Sequence, residues 1–319
     1  MSVYSPLQIP LPQTLRRSYP VAPALSGGWT PTQLWAQTGW RQDASWAELV
    51  DLMQAVRETM HLPVEALGGV QRPAVEALAQ RIRKELHQGS GVVWLRGLEG
   101  LPEPVLRRAY ALLSSRIGKP IDTYGRQYDV RDSGQSHLDL PIPVSQTRAE
   151  TSFHTDSSSI LVEPAVVGLL CIRPAKAGGS SLVSSLLHAH SQLDAASLQL
   201  LYRDYVRNIV TPGLHGADVF KNRFPIFRWS AEEGLVARYM RYWIEKGHER
   251  LGWPLTAAEV QAMDRLDATL SANQLSFDLG TGDMVWVNNR TVAHNRTAYE
   301  DDPAKPRLLV RMWLTANPG

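Results

Sequence analysis

The eight residues AVVGLLCI at positions 165–172 form the longest apolar run of the chain. The run is far shorter than the roughly 20 residues that a membrane-spanning helix needs. Pro164 and Pro174 flank the run. Proline is more common at the ends of short strands than within them. We therefore interpret Val166 to Ile172 as a β-strand.

Further short β-like runs, separated by Pro and Gly, follow after Ile121. They are Ser180 to Ser184, Val236 to Tyr239, Leu275 to Leu279, Asp283 to Val287 and Leu308 to Leu314. Helical patterns interrupt them at 189–206, 241–251 and 257–272. Many short strands of this kind indicate a sandwich or a barrel.

The N-terminal part of the sequence has mainly helical patterns, in contrast to the short β-like runs that follow it. Residues 1–60 begin as an irregular arm rich in Pro, Trp and Gln and then give a helical pattern from Ala47 to Met60. Helices are predicted at 74–87 and 102–117, with a short strand at 91–95 between them. No internal repeat or linker separates these parts, so we expect one domain over residues 1–319.

Composition excludes several classes of protein. The 33 basic and 31 acidic residues give a net charge of only +2, which argues against a nucleic-acid footprint. The single cysteine, Cys171, cannot form a disulfide framework and favours a reducing cytoplasm. The first ten residues lack the pattern of a secretory signal. We expect a cytoplasmic protein without membrane or nucleic-acid partners; a homo-oligomer stays open.

The sequence Phe153-His154-Thr155-Asp156 is the sharpest local feature. On an extended segment, positions i and i+2 point to the same side, so His154 and Asp156 can converge on one point. A lone HxD tripeptide is weak evidence for a metal site. A third residue, His294, lies just beyond the end of the predicted strand 283–287, where sites are often built. Taken by itself, it is better interpreted as a surface-loop histidine.

Together, two imidazoles and one carboxylate are the ligand set of mononuclear non-haem Fe(II) oxygenases. This set leaves coordination positions open for a bidentate co-substrate and for O₂. Zinc can use the same donors, so the ligands alone do not identify the metal.

Two arginines, Arg307 and Arg311, lie in the apolar run near the C-terminus. A buried guanidinium needs an anionic partner, and it matches a carboxylate in bidentate fashion. The far carboxylate of an iron-chelating dicarboxylate would satisfy it. The plainer alternative is a structural ion pair with Asp301 or Asp302.

These features resemble the taurine-dioxygenase-like (TauD/TfdA) family of Fe(II)/2-oxoglutarate oxygenases. The resemblance runs in order from about residue 91 to residue 314. The matching segments are 153–156, 174–181 (PAKAGGSS), 282–283, 294–298 (HNRTA) and 307–311 (RLLVR).

The resemblance implies a double-stranded β-helix, a jelly-roll core with flanking helices. It implies that His154, Asp156 and His294 hold the iron and that Arg307 binds the far carboxylate of 2-oxoglutarate. Ser181 stands where the family often has a threonine hydroxyl that helps to hold that carboxylate.

The resemblance further implies O₂-dependent hydroxylation of a small molecule, with release of succinate and CO₂. Desaturation, epoxidation or cyclisation at the same iron site remains an alternative. A zinc hydrolase and a non-catalytic jelly-roll binding protein are rivals of other classes. The resemblance places Arg311 beside the site, near the co-substrate or the substrate. We expect the substrate to carry an anionic group that Arg311 binds, with weaker candidates in Arg126, Arg238 and Arg241. His188, His190, His215 and His248 are interpreted as packing or surface residues.

Overall fold

The computed structural model describes residues 17–135, 144–159, 163–208 and 222–316. The helices of these residues are α1 (Pro31–Ala36), α2 (Trp46–Thr59), α3 (Pro73–Gln88), α4 (Glu103–Ile117), α5 (Leu186–Gln192), α6 (Ala195–Leu201), α7 (Arg241–Leu251) and α8 (Ala257–Ala272). The strands are β1 (Arg41–Asp43), β2 (Val92–Arg96), β3 (Tyr128–Val130), β4 (Val166–Arg173), β5 (Ala177–Gly178), β6 (Ser181–Ser185), β7 (Asp204–Val206), β8 (Arg223–Pro225), β9 (Phe227–Ser230), β10 (Gly234–Ala237), β11 (Leu275–Phe277), β12 (Met284–Asn288), β13 (Val292–Arg296), β14 (Tyr299–Glu300) and β15 (Leu308–Leu314).

The larger sheet has the strand order β1-β2-β12-β4-β15-β3. Only the β1–β2 pair is parallel; the other neighbours are antiparallel. The apolar run at 165–172 supplies its central strand, β4. This strand is apolar at nearly every position because both of its faces are covered. One face packs against α4, and the other faces the second sheet.

The smaller sheet has the order β11-β6-β13 and is antiparallel. Side chains from both sheets form one buried cluster between them, which includes Val167, Val183, Phe277 and Leu309. A separate apolar cluster covers the outside of the smaller sheet, with members from the helices α5, α6, α7 and α8 and from the strands β7, β9 and β10. The predicted jelly-roll core with flanking helices is confirmed.

Helix ends follow the local sequence closely. α2 begins with a capping box in which Ser45 and Glu48 bond each other's backbone N–H. Thr256 and Glu259 do the same for α8. Such reciprocal caps satisfy N–H groups that a helix start otherwise leaves unpaired. These helices begin within one residue of the predicted positions.

Two predictions about local structure are wrong. Residues 189–206 are not one helix: α5 ends at Gln192, α6 runs over 195–201, and β7 follows. Asp194 starts α6 by accepting the backbone N–H of Ser197 at 2.8 Å, which interrupts the helical run. His294 does not lie in a loop beyond a strand; it lies within β13, paired with Val183 of β6.

Candidate metal centre and co-substrate cavity

The segment carrying His154 is joined to β13 by an isolated antiparallel bridge. The backbone N–H of His154 donates to the carbonyl of His294 at 3.0 Å, and the reverse bond measures 2.9 Å. Residues directly opposite across an antiparallel pair project to the same face. The two imidazole rings accordingly lie 4.4 Å apart, centroid to centroid.

The side chain of Asn289 holds the backbone of Asp156 in place through two hydrogen bonds. Its N–H donates to Oδ1 of Asn289 at 2.8 Å, and the Asn289 amide donates back to the carbonyl of Asp156 at 3.1 Å. Ser152 and Ser157 flank the ligand segment with φ values of 56° and 58°. This left-handed backbone is costly for residues other than glycine and persists only where the surroundings enforce it.

The three side chains meet at one point. Oδ1 of Asp156 lies 3.6 Å from Nε2 of His154 and 3.6 Å from Nε2 of His294. One ligand atom from each residue lies within 4.8 Å of the others. A metal ion bonds such donors at about 2.0–2.2 Å, so a single ion fits among them with modest adjustment. The sequence prediction that these residues come together is met by the geometry.

The two imidazole rings are suited to bind a metal through Nε2. Nδ1 of His154 lies 2.9 Å from the carbonyl oxygen of Ser152, an acceptor that places a proton on Nδ1 and makes Nε2 the nitrogen that would bind a metal. Burial, reinforced by the neighbouring His154, lowers the pKa of His294. His294 is therefore neutral at physiological pH, the form that binds a metal.

The second carboxylate oxygen of Asp156 has different partners. Oδ2 accepts a hydrogen bond from Nε1 of Trp313 at 2.6 Å and one from Nη1 of Arg311 at 3.2 Å. Burial alone would raise the pKa of Asp156. The Arg311 charge and the contacts with the two imidazoles outweigh burial and hold the pKa well below its usual range. Asp156 is thus an ionised carboxylate at neutral pH.

A cavity between the two sheets opens onto this centre. Its wall is mostly apolar, from Val130, Val167, Leu169, Leu182, Val183, Phe277, Val285, Val287 and Leu309. Arg307 and Ser181 line the same cavity. An apolar pocket with a few convergent polar groups is the usual form of a small-molecule site.

Arg307 is only 5% exposed, and its Nη1 has no hydrogen-bond partner among the described residues. Burial lowers its pKa, and the guanidinium packs 5.0 Å from the Tyr299 ring centroid. Asp301, one of the acids considered as an ion-pair partner, accepts the backbone N–H of Arg307 at 2.7 Å. The donor set of Arg307 therefore suits an anion within the cavity.

The other residues singled out from the sequence lie elsewhere. His190 bonds the Tyr202 hydroxyl at 3.0 Å, and His248 bonds the carbonyl of Trp253 at 2.8 Å. His188 does not line the cavity, and His215 lies outside the described residues. The weaker arginine candidates have acidic partners: Arg126 pairs with Glu65, Arg238 with Glu163, and Arg241 with Glu245, Asp264 and Asp267.

Sequence reasoning missed two supports of the centre, Trp313 and Asn289. Trp313 had a usable signal, because it lies two residues after Arg311 on a predicted strand and must share its face. Asn289 had none, since its partners lie more than 120 residues away in sequence.

In the described residues, no helix has the length and apolarity that crossing a bilayer would require.

Comparison with solved structures supports the fold. An asparagine oxygenase, in a complex with Fe(II), 2S,3S-3-hydroxyasparagine and succinate, has a TM-score of 0.70 at 17% identity, and the match covers 87% of this chain and 94% of that one. The non-haem iron oxygenase OrfP, in a complex with Fe, succinate and (3S)-hydroxy-L-Arg, has a TM-score of 0.67 at 14% identity over the same shares.

Sequence comparison gives two curated relatives. FR-33289 synthase of Streptomyces rubellomurinus is 27% identical over 277 residues, which is 81% of this chain and 76% of the synthase. Uridine-5'-phosphate dioxygenase of a Streptomyces species is 28% identical over 200 residues, 59% of this chain and 68% of that protein. Residues 57–313 match the family described as "Taurine catabolism dioxygenase TauD, TfdA family". The chain belongs to this family of Fe(II)- and 2-oxoglutarate-dependent dioxygenases.

Proposed function

We propose that this oxygenase hydroxylates a small anionic molecule at an iron centre held by His154, Asp156 and His294. The observation that carries the proposal is the convergence of Oδ1 of Asp156 with Nε2 of both histidines, at 3.6 Å each. When bound there, Fe(II) with 2-oxoglutarate and O₂ supplies the oxidising chemistry that converts C–H to C–OH, with release of succinate and CO₂.

The protein's own residues supply position and environment. We propose that Arg307 pairs with the far carboxylate of 2-oxoglutarate and that the Ser181 hydroxyl donates to the same group. Nη1 of Arg307 has no partner among the described residues, which supports the first assignment, and the shared cavity supports both. The apolar walls from the two sheets exclude water, which strengthens the pairing of a guanidinium with a carboxylate.

The proposal that the substrate carries an anionic group rests on the relatives. Uridine 5'-phosphate, named for one of them, carries a phosphate, and the hydroxylated asparagine and arginine in the neighbouring structures carry a carboxylate. The sequence predicts that Arg311 binds this anionic group, and this stays a prediction. Nη1 of Arg311 lies 3.2 Å from Oδ2 of Asp156. This ion pair within the protein is the alternative to a substrate-binding role for Arg311.

We propose that the oxygenase domain includes the N-terminal helices. In support, β1 and β2 belong to the larger sheet, and α2 and α3 share the apolar cluster on its outer face. A cytoplasmic location, supported by the single buried cysteine, is part of the same proposal.

The test is a screen for 2-oxoglutarate turnover with matched pairs of compounds that differ in charge, such as uridine 5'-phosphate and uridine, or an amino acid and its amide. Succinate formation that requires Fe(II) and is stimulated by the anionic member is expected. A product 16 Da heavier than substrate identifies oxygen insertion, and its NMR spectrum separates an alcohol from an epoxide. A product 2 Da lighter identifies desaturation or cyclisation. Substrate hydrolysis that requires zinc but neither 2-oxoglutarate nor O₂ would refute the proposal.

A further inference from the structure

The two oxygens of the Asp156 carboxylate have sharply different surroundings. Oδ1 faces the two histidine Nε2 atoms, whereas Oδ2 accepts hydrogen bonds from Trp313 and Arg311. A carboxylate can bind a metal through one oxygen or through both. Two donors on Oδ2 make the two-oxygen mode costly, because they would have to be given up or weakened.

Trp313 is a rigid donor. It lies on β15, paired with Val167 of β4, and is 7% exposed. The Tyr124 ring packs edge-on against its indole at 5.1 Å. An indole has a single N–H donor that cannot rotate independently of the ring, so fixing the ring fixes the direction of the bond to Oδ2.

Arg311 is also fixed, by aromatic rings. Its guanidinium carbon lies 4.7, 5.2 and 5.8 Å from the ring centroids of Trp313, Tyr128 and Tyr124. Stacking on ring faces restricts an arginine side chain while leaving its charge available to a carboxylate. The charged and the neutral donor therefore approach Oδ2 from one preformed aromatic cluster.

We infer that Trp313 is a positioning residue. Together with Arg311, it holds Oδ2 of Asp156 in hydrogen bonds and leaves Oδ1 as the only oxygen of Asp156 that is available to iron. The inference rests on the proposed iron site. Its consequence concerns the open coordination positions. One-oxygen binding by Asp156 leaves room for a bidentate co-substrate and for O₂, whereas two-oxygen binding would occupy one of those positions.

A purely structural role for Trp313 is the competing explanation, and the chain offers a matched control. Trp286 is also a buried tryptophan of the larger sheet, and its Nε1 donates to the hydroxyl of Ser114 at 3.1 Å. Its ring packs near Tyr110 and does not line the cavity. Trp286→Phe and Trp313→Phe each remove one buried indole N–H while retaining an aromatic ring.

The experiment titrates anaerobic wild-type, Trp313→Phe and Trp286→Phe protein with Fe(II) and then with 2-oxoglutarate. It follows metal affinity and the visible charge-transfer absorption of the iron–2-oxoglutarate complex. Loss of an outer partner of a metal ligand typically weakens metal binding by roughly 10–100-fold. We expect Trp313→Phe to show such a loss together with a shifted or weakened absorption band. We expect Trp286→Phe to stay within twofold of wild type with an unchanged band.

The outcomes separate the two proposals. Wild-type protein that binds no Fe(II) would contradict the iron site itself. Wild-type protein that gives the complex, with a Trp313→Phe variant of equal Fe(II) affinity and identical absorption, would overturn the positioning role. So would equal losses in both tryptophan variants.

If Trp313→Phe does not fold, the wild-type and Asp156→Ala proteins still test the bond. In ¹⁵N-tryptophan-labelled Zn(II)-loaded protein, one indole N–H should resonate far downfield, exchange slowly with solvent and lose both properties in Asp156→Ala. The absence of such a resonance in folded wild-type protein would contradict the inference.

Discussion

His154 and His294 lie opposite each other across an antiparallel bridge, and each donates its backbone N–H to the other's carbonyl oxygen. The pair joins two segments 140 residues apart in the chain. The bridge consists of backbone hydrogen bonds. Replacing either histidine side chain therefore removes one metal ligand but keeps the bonds that position the other histidine.

His294→Ala should therefore abolish iron-dependent turnover while the protein stays folded. We expect Fe(II) affinity to fall by more than the roughly 10–100-fold that follows loss of an outer partner. His188→Ala, a partly exposed histidine outside the cavity, is the control and should bind iron as wild type does. Full iron-dependent activity in His294→Ala would show that the ligand assignment is wrong.

Arg307→Ala should raise the KM for 2-oxoglutarate. Removing one partner of a buried charged hydrogen bond costs about 2–5 kcal/mol, which is about 30-fold or more in affinity. Arg126→Ala, which removes a more exposed arginine paired with Glu65, should leave this KM unchanged. Steady-state kinetics at saturating Fe(II) provides the measurement. An unchanged KM in Arg307→Ala would mean that another residue binds the far carboxylate.

Arg311→Leu should weaken iron binding and shift its pH dependence upward. Arg311 is the largest of the influences that lower the pKa of Asp156, so its removal raises that pKa. A carboxylate with a higher pKa is protonated at higher pH and then competes less well for the metal. Fe(II) titrations between pH 5 and 8 test this. Unchanged iron affinity with a raised substrate KM alone would instead support the substrate role predicted from the sequence.

The metal-free protein should lose stability as the pH falls below about 6.5, the ordinary histidine value. Because the pKa of His294 is lowered in the folded state, the unfolded chain binds more protons in that range, and stability rises with pH. His87 and His190 are shifted in the same direction. Urea unfolding of wild type and His294→Gln at several pH values should show a smaller slope in the variant. Equal slopes would contradict this assignment.

Gly282→Ala should be far more destabilising than Gly234→Ala. Both glycines have positive φ, 89° and 69°. A Cβ at residue 282 would lie 2.7 Å from the backbone of Leu98, whereas no described atom lies within 4 Å of one at residue 234. Positive φ alone costs about 1 kcal/mol, and overpacking adds about 1–3 kcal/mol. Denaturant unfolding measures the difference, and similar losses in both variants would contradict the predicted clash.

The sequence was most informative where local signals and tertiary structure agree. Helices α2, α3, α4, α7 and α8 have ends that the sequence marks, and all five lie within two residues of the predicted positions. Their terminal residues, such as Ser45 and Gly89, act through short-range bonds that a sequence displays directly.

Strands held in place by distant partners were harder to predict. The segment Val292–Arg296 reads VAHNR and lacks simple apolar alternation, and it is a strand because it pairs with β6 and with His154. The two-residue spacing of His154 and Asp156 predicted their common side. The spacing of Trp313 and Arg311 predicts that they share a face of their strand. The bonds that Trp313 and Asn289 make to Asp156 span 157 and 133 residues, and local patterns do not identify a partner at such a distance.

The mutual backbone bonds of His154 and His294 also bear on how long a bound ion would be retained. Residues 144–159 contribute two of the three ligands and are tied to the rest of the protein through Asn289, Tyr239 and β13. Opening of this segment would remove both ligands together. The amide of His154 is thus a local reporter, and its protection from hydrogen exchange measures the free energy of the opening through which the centre would release its metal.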